Sequence, residues 1–345
     1  MNVRELAKLA GVSPATVSLV LNDRKGVSQA VRDRVRTIIN ANNYEKPSWA
    51  NKQYDVKTVV FIRYSEQGMP IEENASIVAA MVEGIEAECI ERGMHLGQFG
   101  CNKANLSQII EKLQNIKFEG LILLGTEMSP EVCKTFLTLG IPTVVINNSM
   151  WELGVDTVVM ANERIAQHAV EYLYSLGHRE IGYLQCKVEI CNFKDRERGF
   201  LDSLQSKGLT LKPENHFVLS PTLSGVISEM KEALEGRNHM PTAFFADNDT
   251  IALGAMKAIG EAGWKIPADV SVIGVDDIVY AGMGNPPLTT MRVPRQFMGY
   301  CAVSRLIERM NKPKSVPVHI EVEAEFIKRE SVVALPKPPR HKQMD

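Results

Sequence analysis

The feature that most constrains this chain is a rhythm that starts near Val56 and runs to about residue 276. Short β-branched or apolar runs alternate with segments whose apolar residues recur every three or four positions, the periods of strand and helix. Residues 58–62 predict a strand, 77–92 a helix, 95–99 a strand, 106–116 a helix, 120–125 a buried strand, 130–139 a helix and 142–146 a strand. The unit then starts again with helix 162–176, strand 180–184, helix 196–208, strand 216–219, helix 224–235, strand 243–246, helix 249–262 and strand 270–275. Strands separated by helices pair in parallel and are covered on both faces. Two such series predict an α/β body of two doubly wound parallel-sheet lobes, with a ligand cleft at the carboxyl ends of the strands.

Composition sets the outer bounds. With 345 residues, 45% apolar and 23% charged, the chain has material for about two domains and a substantial core. That balance excludes a disordered chain, a collagen and a disulfide scaffold. No apolar run approaches the roughly 20 residues of a transmembrane helix. Met1-Asn2-Val3-Arg4-Glu5-Leu6 shows no leader-like apolar core with a small-residue cleavage site. The expected compartment is the cytoplasm, with no membrane partner. Cys89, Cys101, Cys133, Cys186, Cys191 and Cys301 have scattered spacings, which suit reduced, mostly buried thiols rather than a disulfide framework or a zinc site. No metal and no cofactor are expected. Residues 336–345, rich in Pro, Lys and Arg, predict a disordered tail.

The formal charge of −2 conceals an asymmetry. Residues 1–58 hold ten Lys/Arg and five Asp/Glu, a local +5 against −7 for the rest. A basic head on an acidic body is what phosphate-backbone binding needs, although a solvated face would carry the same charge. The pattern around the charges decides. Val3, Leu6, Ala7 and Ala10 share one helical face, and Gly11 ends that helix. Ser13-Pro14 starts a second helix, about Pro14–Leu21, with Val17, Val20 and Leu21 for the core. Ser28 caps a third, with Val31, Val35, Ile38 and Ile39 on its apolar face. Two short helices joined by a tight Gly-containing turn form a helix-turn-helix. The outer side of the second helix carries Ala15, Thr16, Ser18, Leu19 and Asn22. Ser13, Thr16 and Asn22 can hydrogen-bond phosphates, and the apolar side chains can meet thymine methyls.

The stretch from Val3 to Asn22, and above all Ala10-Gly11-Val12-Ser13-Pro14-Ala15-Thr16-Val17-Ser18-Leu19-Val20-Leu21-Asn22, closely resembles the LacI/GalR (lactose-repressor) family of bacterial transcription regulators. The resemblance implies a major-groove-reading second helix that binds a pseudo-palindromic operator in double-stranded DNA as a homodimer, with a tetramer left open. It places Ser13, Pro14, Ala15, Thr16, Ser18, Leu19, Asn22 and Ser28 at the DNA. Two departures stand out. Leu19 occupies the place where the family often has a guanine-reading arginine. Gln53 falls where the family's hinge helix carries a minor-groove leucine wedge, although Tyr44 and Ala50 fit that hinge. Trp49 is a candidate substitute wedge, with packing between hinge and body the favoured role.

The body carries the same resemblance, in order, to about Ser331: Leu176-Gly177-His178-Arg179-Glu180-Ile181, Arg196-Glu197-Arg198-Gly199-Phe200, Asn248-Asp249, Val272-Ile273-Gly274-Val275-Asp276-Asp277 and Pro287-Leu288-Thr289-Thr290. It implies a periplasmic-binding-protein-like body crossed three times between lobes, near Met160, Arg292 and Glu323. The resulting organisation is a head over 1–47, a hinge over 48–57 and an effector-binding and dimerisation body over 58–335. One lobe would take 58–160 and 292–323, the other 161–291 and 324–335.

The implied effector residues are Arg196, Asp276, Asn248 and Asn147, with Tyr64, Glu73 and Asn74 from the long loop 63–74 and Met160 where an aromatic often stacks on a sugar. A guanidinium fork suits vicinal hydroxyls or a carboxylate, and a carboxylate such as Asp276 can accept from two hydroxyls. Asp277 is expected to be a helix cap. The set favours a small polyhydroxylated ligand, a sugar or sugar derivative, that switches operator affinity. An enzyme is the rival class, but the chain carries no nucleophile elbow, Walker loop or HExxH motif, and His178 sits in a turn the family uses structurally. A periplasmic sugar-binding protein would fit the body and leave the basic head unexplained.

Overall fold

A computed structural model of the chain describes residues 3–21, 26–41, 56–66 and 71–336, without the side chains of residues 3, 4, 15, 18, 21, 40 and 71–76. Asn22, residues 48–55 of the expected hinge with Trp49 and Gln53, and the tail beyond Pro336 lie outside the described residues. Contacts divide the chain into two units, 1–56 and 57–345.

The first unit is helical: α1 (Val3–Ala10), α2 (Pro14–Leu21) and α3 (Gln29–Ala41). Leu6, Ala7 and Ala10 of α1, Val17 and Val20 of α2 and Val35 of α3 form one buried cluster, with Val31, Ile38 and Ile39 packed against it. The α1–α2 turn depends on Gly11, whose φ of +65° is a left-handed conformation that a side chain resists. Behind it, the Val12 N–H returns to Ala7 O at 3.0 Å and closes the end of α1.

The second unit holds two six-stranded sheets, with strands numbered in chain order. The first contains β1 (Thr58–Tyr64), β2 (His95–Cys101), β3 (Gly120–Leu124), β4 (Thr143–Ile146), β5 (Asp156–Met160) and β11 (His319–Val322), in the spatial order β11-β5-β4-β3-β1-β2 and parallel throughout. The second contains β6 (Ile181–Cys186), β7 (His216–Leu219), β8 (Ala243–Ala246), β9 (Ser271–Asp276), β10 (Thr289–Arg292) and β12 (Glu325–Ile327), in the order β12-β10-β9-β8-β6-β7. Only β12, at one edge, runs antiparallel to its neighbour. The chain passes to the second sheet after Met160, back after Arg292, and over again between Val322 and Glu325. Each sheet has the doubly wound order whose switch point opens a crevice at the carboxyl ends of the strands.

Burial on both faces explains the uninterrupted apolar strands. In β1, Val59 and Phe61 face Met81 and Ile85 of α4 (Ile71–Glu91), while Val60, Ile62 and Tyr64 face Leu113 of α5 (Leu106–Gln114) and Phe136 of α6 (Pro130–Leu137). The second sheet is covered by α7 (Asn162–Ser175) and α8 (Cys191–Ser206) on one side, and by α9 (Leu223–Leu234) and α10 (Asp249–Glu261) on the other. After β10 the chain forms α11 (Arg295–Asn311), which packs on α4 and the first sheet. These two helices cross backbone to backbone: a Cβ on Gly84 would overlap the Gln296 carbonyl, and one on Gly299 would meet the α4 backbone at Met81.

Two sequence expectations are corrected here. The loop expected over 63–74 is shorter, because β1 continues to Tyr64 and α4 begins at Ile71; Glu72 and Glu73 in its first turn suit a helix start. Helix α8 begins at Cys191, so Arg196 lies in its second turn and not at its start, because Asn192, Phe193, Arg196 and Phe200 bury one shared face. All six cysteines are free thiols, with Cys89, Cys101, Cys133 and Cys186 buried. No helix among the described residues is long and apolar enough to cross a membrane.

Candidate functional site

In the head, Ser13 and Pro14 are exposed and Thr16 and Leu19 are half-buried. Ser13 Oγ accepts the Thr16 N–H at 3.1 Å and shares a 2.9 Å hydrogen bond with Thr16 Oγ1. The hydroxyl that caps α2 thus brings a second hydroxyl to the same helix end, where free amides and the helix dipole attract phosphate. Ser28 is exposed, and its carbonyl takes the Arg32 N–H at 3.0 Å as α3 starts. The side chains of Ala15 and Ser18, and all of Asn22, are outside the description.

In the body, the structure gathers a polar cluster where the two sheets meet. Arg196 is almost fully buried, at 2% exposure. Its Nε donates to Asn162 Oδ1 at 3.0 Å, its Nη1 to the Asp247 carbonyl, and its Nη2 to Met160 Sδ at 2.9 Å. Asp276 Oδ1 is 3.9 Å from Nη2. Met160 ends β5 of the first sheet, and Asp276 ends β9 of the second. One guanidinium therefore touches both sheets and the first crossing between them. Asn162 in turn donates to Asn192 at 3.2 Å, which ties α7 to α8.

The remaining expected residues divide. Asn147 follows β4 in a left-handed conformation, φ 65°, with its side chain buried and its Oδ1 without a hydrogen-bond partner. Asp276 also has positive φ, 116°. Both follow or end a strand, where such a conformation must be held by the surrounding fold. Asn248 commits its Oδ1 to the Ile251 N–H (2.9 Å) as the cap of α10. Tyr64 is not brought to the cluster: it packs with Phe118 and Leu113, its hydroxyl donates to Glu66 at 3.3 Å, and burial pushes its pKa up to about 12. Asn74 and Glu73 lie in the first turn of α4, with side chains outside the description. Asp277 is not a helix cap; its carboxylate binds Arg292 (2.7 Å) and Arg329 (2.6 Å), which outweigh burial and lower its pKa. His178 is fully buried between Thr242 Oγ1 and Val333 O, 3.0 Å from each, and burial lowers its pKa.

Three residues of the cluster escaped the sequence reading. Arg295, the first residue of α11, lies 3.2 Å from Asp276. Asp247, at the switch point between β6 and β8, accepts from Tyr183 Oη (2.5 Å) and the Cys186 N–H (2.7 Å). Burial raises its pKa to about 7. Asp249, buried behind Asp276, accepts from Thr290 Oγ1 (2.6 Å) and the Ile278 N–H (3.0 Å). Burial, then the charge of Asp276, raises its pKa to about 8. A carboxyl with a raised folded pKa stabilises fully below its unfolded pKa, and the contribution is lost as pH rises through the folded value. Asp249→Asn fixes a neutral side chain that can still accept from Ile278 and donate to Thr290. It is expected to flatten the decline in urea midpoint between about pH 5 and 8; an unchanged decline would mean that this carboxyl is ionised in the native protein.

Comparison with known proteins fits both units. Residues 2–47 match the bacterial regulatory proteins of the lacI family, and residues 170–332 a periplasmic binding protein-like domain. The HTH-type transcriptional repressor PurR of Pasteurella multocida is 30% identical over 339 residues, covering 96% of this chain and 98% of that protein. The chain belongs to the lacI family. The ribose operon repressor of Haemophilus influenzae is 28% identical, covering 96% of this chain and 99% of its own. Among solved structures, the transcriptional regulator CelR–cellobiose complex superposes with a TM-score of 0.69 at 25% identity, over 96% of this chain and 99% of that one. The lac repressor dimer bound to operator and the anti-inducer ONPF gives 0.72 at 22% identity, over 97% and 99%, and shares the fold. The relatives of this lacI-family chain are transcriptional repressors and not enzymes.

Proposed function

We propose that this lacI-family chain is a bacterial repressor that acts in the cytoplasm, binds a pseudo-palindromic operator as a homodimer through α2, and changes its operator affinity when a sugar or sugar derivative binds between the two sheets. The observation that carries the reading is the buried polar cluster in which Arg196 meets Met160 of the first sheet and Asp247 and Asp276 of the second. Buried polar groups need partners, and a polyhydroxylated ligand supplies both donors and acceptors. A related structure holds cellobiose, and another is a dimer on operator DNA. Arg196 is the natural coupling point, because a ligand that draws on its donors competes with Met160 from one sheet and the Asp247 carbonyl from the other. Such a ligand shifts the angle between the lobes and, in a dimer, the spacing of the two heads. The coupling is reciprocal, so operator DNA changes ligand affinity by the same factor.

The test is selection of DNA fragments by the purified full-length protein over a salt series. The expected result is a shared inverted repeat whose binding weakens steeply as salt rises. Recovery of no common repeat, with or without added sugars, would sink the reading. A sugar-binding protein without DNA regulation is the alternative: in that case deleting residues 1–58 would leave every measurable activity intact.

A further inference from the structure

The cluster contains one guanidinium edge that makes no hydrogen bond. The Arg295 side chain is only 11% exposed, and its Nε and Nη2 are buried without a hydrogen-bond partner. These two atoms lie on the same edge of the guanidinium and point their N–H bonds the same way, the geometry that grips two oxygens of one anion. Asp276 Oδ1 is 3.2 Å from Nη2, close enough for charge attraction but out of line for the hydrogen bond. That carboxylate is also shared with Arg196, at 3.9 Å.

The other acids nearby are spoken for. Asp277 is bound to Arg292 and Arg329, Asp247 to Tyr183 and the Cys186 amide, and Asp249 to Thr290 and the Ile278 amide. Two guanidinium charges thus face one carboxylate, with a forked donor pair left over. Asn147, after β4 of the first sheet, also has a buried acceptor oxygen that lacks a donor. A neutral polyol would leave the extra charge and the parallel donors of Arg295 poorly matched.

We propose that the ligand of this cleft is an acid: a small polyol bearing a carboxylate or phosphate, whose anion is held by Nε and Nη2 of Arg295. The proposal rests on the ligand-cleft reading above and narrows it to an anionic ligand.

Thermal unfolding of the full chain in inorganic phosphate, acetate and chloride at matched ionic strength tests it. Phosphate or acetate is expected to raise the melting temperature of the wild type saturably beyond chloride. Arg295→Gln is expected to weaken that binding about tenfold, as loss of charge-assisted hydrogen bonds requires. Arg295→Lys keeps the charge without the fork and is expected to fall between; it also guards against a Gln variant that folds poorly. Both anions behaving as chloride, or stabilising Arg295→Gln as much as the wild type, overturns the proposal. Glucuronate and glucose 6-phosphate, each compared with glucose, separate the two anions: the one that fits binds better than glucose, and neither doing so again overturns it. Glucose binding that needs Arg196 but ignores Arg295 would overturn the acid while leaving the ligand cleft standing.

Discussion

Arg196→Ala is expected to abolish the ligand response while operator binding persists. The helical head has its own core, built from Leu6, Ala10, Val17, Val20 and Val35, so nothing in its fold draws on Arg196. In the body the truncation removes the donor to Asn162 Oδ1, to the Asp247 carbonyl and to Met160 together. Asp276 keeps Arg295 as a partner, so the stability loss should sit near the low end for a broken buried ion pair, on the order of 3 kcal/mol. Operator binding followed by fluorescence anisotropy, with and without the sugar or sugar acid that shifts the wild type, reads the effect directly. Arg196→Lys is expected to respond only at much higher ligand concentration, since a point charge cannot hold Asn162, the Asp247 carbonyl and a ligand at once. If Arg196→Ala responds at the ligand concentration that suffices for the wild type, the cleft is elsewhere.

What could be read from the sequence divides along the range of the interaction that fixes each element. The start of α2 is a local event: Ser13 caps Thr16 three residues on, and Pro14 fits the first turn. The central strands are legible because both faces are buried, so β3 is Gly-Leu-Ile-Leu-Leu with no polar interruption. Strand β5 escaped because it opens on Asp156, whose burial is made possible by arginines about 150 positions later in the chain, far outside any sequence window. Helix α11 lies beyond the strand–helix rhythm that ends with β9, although Met298, Ala302, Val303 and Leu306 have helical spacing. Within the cleft, Arg196, Asp276 and Asn147 were indicated by strand ends and by resemblance. Arg295 was not, because its significance is a pair of donors left unmatched by the fold. The placement of Tyr64 at the cleft ignored a readable fact: alternation along β1 puts it on the same face as Val60 and Ile62, and that face packs under α5 and α6.

The largest loss of stability should come from a residue with no role in the cleft. Asp156 is fully buried at the start of β5, where Oδ1 accepts from Arg305 Nε (2.9 Å) and the Val318 N–H (2.7 Å), and Oδ2 from Arg309 Nε (2.5 Å). Arg305 and Arg309 stand one turn apart on α11, and Val318 precedes β11, so this carboxylate fastens α11 and the returning edge strand to the first sheet. Burial alone would raise its pKa, but the hydrogen bonds from Arg309, Val318 and Arg305 outweigh it and hold the pKa below the ordinary value. Its contribution is therefore present above the unfolded carboxyl pKa of about 3.9 and is lost as pH falls through the lower folded value. Asp156→Ala leaves two guanidiniums, 5% and 13% exposed, without their shared anion. The expected cost is about 3–5 kcal/mol, seen as a lower urea midpoint at unchanged slope. Replacing Arg305 and Arg309 by Leu in the same chain should recover much of that loss, because apolar packing then substitutes for a charged cluster whose desolvation was itself expensive. A single Asp156→Ala variant within about 1 kcal/mol of the wild type would mean that water reaches these arginines and that α11 is held by its apolar contacts with α4 and the first sheet.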